Sequence, residues 1–295
     1  MNEAVEGSEA HRQADPRYIE ARRVLLDALT ALAPHGAAFV VAGAQAIYLH
    51  TGDADLAVAP FTTDADLVLD PALLGEEPEL EPAMTAAGFH LSLVDDHVEP
   101  GIWVAPAKID GVEVLVPVDL IVPEGAATGG GRRGARLGPH GKRAARRAVG
   151  LEAALVDRST MTISALDPAD DRSVQAEVAG PAALLVAKAH KLHDRLESGK
   201  TDRLDDKDAG DCVRLMQTTS ADEIGGVFAR LSQDPIAGPP STAALAYIDE
   251  LFGRRGRPGI EMAARALRVG MPEEAVEALC TAYTARLIQS ERSGE

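Results

Sequence analysis

The chain has 295 residues, of which 46% are hydrophobic and 3% aromatic, and its formal net charge is −17. That length accommodates two packed units, and that apolar fraction supports a core, which excludes a wholly disordered chain. Scarce aromatics argue against a base-stacking platform for single-stranded nucleic acid, and the overall acidity argues against general nucleic-acid binding.

Residues 1–15 are polar and read as a disordered leader with no apolar signal core. No run approaches the roughly 18 apolar residues of a membrane helix, so a cytoplasmic protein is expected. "RYIEARRVLLDALTALAP" carries apolar residues at helical spacing and ends at Pro34. "AAFVVAG" reads as a buried strand ending in Gly43. The short helix that follows at "AQAIYLHTG" is a candidate anion site because it starts directly after a strand. "TTDADLVLD" reads as a strand and residues 71–88 as a helix, followed by strands at "FHLSLV", "GIWVAPA" and "VEVLVPVDLIV". In the last of these, Val112, Val114, Val116 and Val118 share one face and Asp119 lies on the other, with Pro117 suggesting an edge or a bulge.

Residues 125–150 contain no Asp or Glu but hold Arg132, Arg133, Arg136, Lys142, Arg143, Arg146 and Arg147. This segment reads as a mobile basic loop able to hold an RNA backbone by charge, or simply as a solvated insertion. "STMTISAL" and "SVQAEVAG" read as a strand pair. From Gly180 the pattern is helical, with Pro181 suited to a first helical position and further helices near 205–218, 221–233, 240–253, 258–269 and 272–290. The expected organisation is an α/β domain over 16–179 and a helical domain over 180–295. The two cysteines, Cys212 and Cys280, are too few and too far apart for a disulfide framework or zinc site, and read as core residues.

Three groups of residues have chemistry to offer. Asp64 and Asp66 are two positions apart on a strand, so they share a face roughly 6 to 7 Å apart and can converge on one hard cation. A third acid on a neighbouring strand would complete a two-metal site for phosphoryl or nucleotidyl transfer, and Asp119 is the candidate. The same D-x-D pattern also occurs as an ordinary polar strand face. An EF-hand over "DADLAVAPFTTD" fails for want of its glycine and its final glutamate. On the first helix after residue 180, Lys188, Lys191 and Arg195 form a basic stripe. On the next helix Asp205, Asp208 and Asp211 form an acidic one. The two stripes can pair as a structural network, or the cations can reach polyphosphate while the acids orient them.

Taken in order, "VVAGAQAIYLHTG", "TTDADLVLD", "LLVAKAHKLHDR" and "KDAGDCVRLM" resemble the motifs of AbiE-type nucleotidyltransferase toxins, the AbiEii/MenT-like branch of the DNA polymerase β-like superfamily. The resemblance implies an α+β fold: a mixed-sheet, polymerase β-like core followed by a C-terminal helical domain, with the active site between them. It also implies Mg²⁺, with Mn²⁺ as a substitute, and transfer of NMP from an NTP to the 3′ end of an RNA, tRNA in the MenT branch. A cognate antitoxin is the implied partner. Asp64 and Asp66 match the metal-binding pair, Lys188 the lysine of the third motif, and Asp208 and Asp211 the acids of the fourth. Thr62 and Thr63 are placed to offer hydroxyls to phosphate, beside Gly43, Lys191 and Arg195. One departure is plain: the family's Gly-Ser is here Gly43-Ala44, which removes a hydroxyl. Two rival readings stand. One is transfer to a protein or to a small molecule such as an aminoglycoside, and the other is a degenerate member that only binds NTP or RNA.

Overall fold

The computed structural model describes residues 14–52, 62–128, 133–199 and 206–293. Residues 1–13 of the expected leader, together with Arg132 and Asp205, lie outside the described residues.

Helix α1 (Pro16–Leu32) starts where the Asp15 carboxylate accepts from the Arg17 amide, and Pro16 occupies its first turn. Its buried stripe of Ala21, Leu25, Ala28 and Leu32 lies across the sheet, against β2 (Ala65–Leu69), β4 (His97–Ile109), β5 (Val112–Pro123) and β8 (Ser173–Ala179). Strand β1 (Phe39–Ala42) is buried along its whole length and passes straight into α2 (Gly43–Thr51). With β3 (His90–Val94), β6 (Arg146–Ala148) and β7 (Arg158–Ser164), the described strands form one mixed sheet. Its order is β3-β4-β5-β2-β1-β8-β7, and β6 pairs with β5.

After β8 ends at Ala179, the described chain is helical. Helices α4 (Pro181–Glu197), α5 (Asp206–Thr218), α6 (Ala221–Ser232), α7 (Gly238–Phe252), α8 (Pro258–Leu267) and α9 (Glu273–Ser293) follow one another. Helix α2 packs against both α4 and α5, and one continuous apolar core runs from α1 through the sheet into these helices. The fold is therefore the expected α+β arrangement, a mixed sheet followed by a helical region. No helix among the described residues is long and apolar enough to cross a membrane.

Three local expectations change. The helix over 71–88 shrinks to α3 (Leu80–Ala86), because Pro78 disfavours helical geometry at Glu77 and Gly75 weakens the preceding turn. Pro117 is not on an edge strand: β5 lies between β4 and β2, and Pro117 sits one position before the β2 ladder begins at Ala65↔Val118. The valine face is core only at Val116 and Val118, because Val112 lies near the tip of the β4–β5 ribbon and is exposed.

The described part of the basic segment is a loop held against the sheet, and it ends in the short strand β6. Residues 133–150 fold back on themselves: Ala135 N–H donates to Ala145 O and Leu137 N–H to Gly141 O, and β6 then joins β5 in parallel. The Trp103 indole donates to Ala144 O, which ties this loop to the sheet. Buried Ala135, Leu137, Ala144 and Ala145 explain the folding, since their apolar surface is hidden while the arginines between them remain accessible.

Candidate active site

Strand pairing brings the acids together. Strands β1 and β2 are antiparallel and place Ala42 opposite Asp66, and β2 and β5 are parallel and place Asp66 opposite Asp119. Side chains at paired positions project to the same face, so Asp66 and Asp119 are neighbours, with Asp64 two residues along on the same side.

Gly43 is the pivot. Its φ of +63° favours glycine, and a Cβ there would lie 2.0 Å from Asp66 Oδ2. The Asp66 carboxylate therefore lies against the bare Cα at the start of α2. The residue preceding that helix, Ala42, makes no side-chain cap, which leaves the first amides of α2 available to an anion.

Asp66 is half-buried, but its carboxyl is closely surrounded, and burial with the charges of Asp64 and Asp119 raises its pKa to about 6 against the partial opposition of Lys191 and Arg146. The Asp119 carboxyl is also raised. Burial is the main cause, Arg146 opposes it, and Asp64 and Glu99 add to it. Arg146 reaches Asp119 Oδ2 through Nη2 at 2.6 Å and Nε at 3.1 Å. Asp64 is exposed, and its Oδ1 accepts from Thr62 Oγ1 at 2.5 Å. Thr62 is buried, so its hydroxyl is engaged by the acid rather than presented to solvent, while Thr63 is exposed.

A support not evident from the motifs is Gln45. It is buried in α2, and its Nε2 donates to Asp64 O at 3.1 Å and to Ala21 O at 3.0 Å. Its Oε1 accepts from Arg22 Nε at 2.8 Å, and the Arg22 guanidinium also holds the Tyr18 hydroxyl and Ser164 O. The backbone at Asp64 is thereby fastened to α1 and α2. The one sequence signal was a lone amide in an otherwise apolar run.

The basic stripe on α4 divides in two. Lys188 is buried, and its Nζ donates to Asp208 Oδ1 at 2.5 Å and Asp211 Oδ2 at 2.7 Å. Burial opposes its charge, but the two carboxylates more than offset that and hold its pKa well above the ordinary lysine value. Burial likewise works against the Asp208 charge, but Lys188, Lys191 and Arg195 outweigh it and hold that acid below the usual carboxylate range. Arg195 Nη1 contacts Asp208 at 2.6 Å. Lys191 reaches Asp208 at 3.2 Å, but its side chain is 48% exposed, and it is the α4 cation whose charge acts on Asp66. The acidic stripe of α5 therefore anchors Lys188 inside the protein, while Lys191, at the outer edge of Asp208, stays half-exposed with its charge felt at Asp66.

Of the residues of the basic segment, Arg143 pairs with Glu81, Arg146 with Asp119 and Arg147 with Glu124. Arg133, Arg136 and Lys142 are exposed.

Among the described residues no three His, Cys, Asp or Glu side chains are already gathered as a metal cage. The donor set nevertheless suits a hard divalent cation: Asp64, Asp66 and Asp119 offer only carboxylate oxygens, and the mutual repulsion that adds to burial in raising Asp66 is what such a cation would relieve.

No family model matches the chain, and no curated protein matches it. Among solved structures it is similar to an antigenic nucleotidyltransferase-like protein from Paracoccidioides brasiliensis, at 15% identity and a TM-score of 0.44, over 84% of this chain and 93% of that one.

Proposed function

We propose that this protein is a Mg²⁺-dependent nucleotidyltransferase that moves NMP from an NTP onto an acceptor hydroxyl. The observation that carries the reading is the meeting of Asp64, Asp66 and Asp119 on one sheet face, at the uncapped start of α2. Asp64 and Asp66, with Asp119, would hold Mg²⁺ or Mn²⁺, and the bound cation would neutralise charge on the triphosphate. The first amides of α2, beginning at Gly43 and Ala44, replace the missing serine hydroxyl as phosphate ligands. Lys191, with Arg195 behind it, faces the polyphosphate, while Lys188, Asp208 and Asp211 hold α4 and α5 in place. The acceptor oxygen bonds to the α-phosphorus, the bond to the bridging oxygen breaks, and pyrophosphate leaves. Asp119, at the side of the acid group nearest Arg146, takes the hydroxyl proton. Positioning and charge neutralisation supply most of the acceleration in such chemistry.

The 3′ end of an RNA, tRNA above all, is the acceptor implied by the motif resemblance, as are a toxin role and a cognate antitoxin. A second reading, transfer to a protein or small molecule, is favoured by one observation: Arg143, Arg146 and Arg147 are engaged in ion pairs within the chain, which leaves, among the described residues of the segment, Arg133, Arg136 and Lys142 as unpaired outward charge for an RNA backbone. The deciding experiment incubates the protein with Mg²⁺, each α-³²P-labelled NTP and total tRNA, beside Asp66→Ala. Label entering RNA only with intact Asp66 supports RNA transfer. Label on protein moves the acceptor to the second reading. Nucleotide binding with no label transferred anywhere would leave a binding protein.

A further inference from the structure

A cavity of about 290 Å³ opens beside Asp119. Its lining includes Glu99 and Ile102 from β4, Asp119 from β5, and the three arginines Arg133, Arg146 and Arg147. Among the described residues, none that lines it belongs to α2 or α4, the helices that carry the α2 amides and Lys191.

The charges lining it have an instructive balance. Arg147 is matched by Glu124 and Arg146 by Asp119, and Arg133 is exposed and enters no ion pair among the described residues. A divalent cation shared by Asp64, Asp66 and Asp119 would give the Asp119 carboxylate a second positive neighbour and leave the charge of Arg146 in excess. Arg133 and Arg146 would then both face the cavity, with Glu99 as the remaining acid in its lining. A planar guanidinium presents paired N–H donors that match phosphate oxygens, and two of them make an anion site of high specificity. The volume lies at the lower edge of the range for ligand pockets, about 300–1,000 Å³, which suits one sugar-phosphate unit and not a folded nucleic acid.

We propose that this cavity is the acceptor subsite and that it takes a phosphorylated sugar, with the attacking hydroxyl at Asp119 and the phosphate between Arg133 and Arg146. The assignment deepens the nucleotidyl-transfer reading and rests on it. In the transfer, the sugar hydroxyl oxygen bonds to the α-phosphorus, its proton passes to Asp119, and pyrophosphate departs. Arg146 is then a specificity residue: it neutralises Asp119 before the cation arrives and holds the acceptor phosphate afterwards.

The test is a binding measurement that needs no turnover. The protein is saturated with Mg²⁺ and each of the four α,β-methylene NTP analogues in turn, then titrated calorimetrically with cytidine 5′-monophosphate or with cytidine. The expected result is one further site for the monophosphate, with cytidine at least tenfold weaker. Arg133→Ala should weaken the monophosphate at least tenfold, and Arg146→Lys, which keeps the charge but loses the fork, should weaken it as well. Unchanged analogue affinity in Arg133→Ala, and an unchanged thermal unfolding curve for Arg146→Lys, show that the variants are folded. If an analogue binds but the monophosphate finds no second site, binds no better than cytidine, or ignores both substitutions, the subsite is overturned while the transfer reading stands. If no analogue binds and the monophosphate still requires Arg133, the transfer reading falls and the acceptor role falls with it.

Discussion

Replacing Gly43 with alanine tests the site where backbone and chemistry meet. The added Cβ would sit 2.0 Å from Asp66 Oδ2 and 2.9 Å from Asp66 Cγ, in a backbone with φ of +63°. Ordinary contact needs about 3.4 Å, so the carboxylate must retreat by more than an ångström, while the left-handed backbone alone costs an L-residue about 1–2 kcal/mol. For a chain of this size, that strain corresponds to a loss of several degrees in Tm, at about 2–4 °C per kcal/mol. Misplacing a reacting group by about 1 Å costs on the order of 100-fold in rate. Gly52 provides the control, because its φ is +54° but nothing among the described residues lies within 4 Å of its Cβ position. Gly43→Ala and Gly52→Ala should both lose thermal stability from backbone strain, with only Gly43→Ala also losing Mg²⁺–nucleotide affinity and transfer. Thermal melts with and without Mg²⁺–NTP, beside the labelled-nucleotide assay, read both effects. If the two variants behave alike in the assay, Asp66 does not need its place against Gly43 and the site as drawn here is wrong.

Other outcomes follow from the same geometry. With Asp66 at about 6 against an ordinary 3.8, the folded state holds a proton that the unfolded state has lost between about pH 4 and 6. Stability should therefore fall as pH rises through that window, by no more than about 3 kcal/mol, and Asp66→Asn should flatten that part of a urea-unfolding pH series. Mg²⁺ binding should weaken as pH drops below about 6, because the ligand must lose its proton first, and a Tm shift with added Mg²⁺ that is equal at pH 5 and 7.5 would contradict this. Lys188→Met removes the buried cation shared by Asp208 and Asp211, leaving Asp208 to Arg195 and Lys191, and should cost about 3–5 kcal/mol in denaturant melts, whereas Lys191→Met should cost less than about 1 kcal/mol but raise the KM for NTP. The reverse pattern would make Lys188 the phosphate cation. Gln45→Leu removes the donor to Asp64 O and Ala21 O and should cost about 1–3 kcal/mol in stability, with a weaker Mg²⁺ response than wild type.

What the amino-acid order settles by itself is what local periodicity controls. The two-residue repeat places Asp64 and Asp66 on one strand face, the helical repeat aligns Lys188, Lys191 and Arg195, and Gly180-Pro181 marks the passage from sheet to helices. Local pattern also tempted in the wrong direction at 71–88, where Gly75 and Pro78 outweigh apolar spacing, and it left unseen that buried Ala135, Ala144 and Ala145 hold the basic stretch against the sheet. The tertiary structure alone decided which distant residues meet. Asp119 reaches Asp66 only because β5 joins β2 in parallel at one register, and a slip of one residue would turn it to the other face. Arg146, which read as an RNA contact, reaches Asp119 because β6 extends the edge that β4 leaves near Gly101. Which cation of the α4 stripe is buried and which remains accessible depends on the packing of α5 against α4, because burying a charge is tolerated only where carboxylates already wait for it.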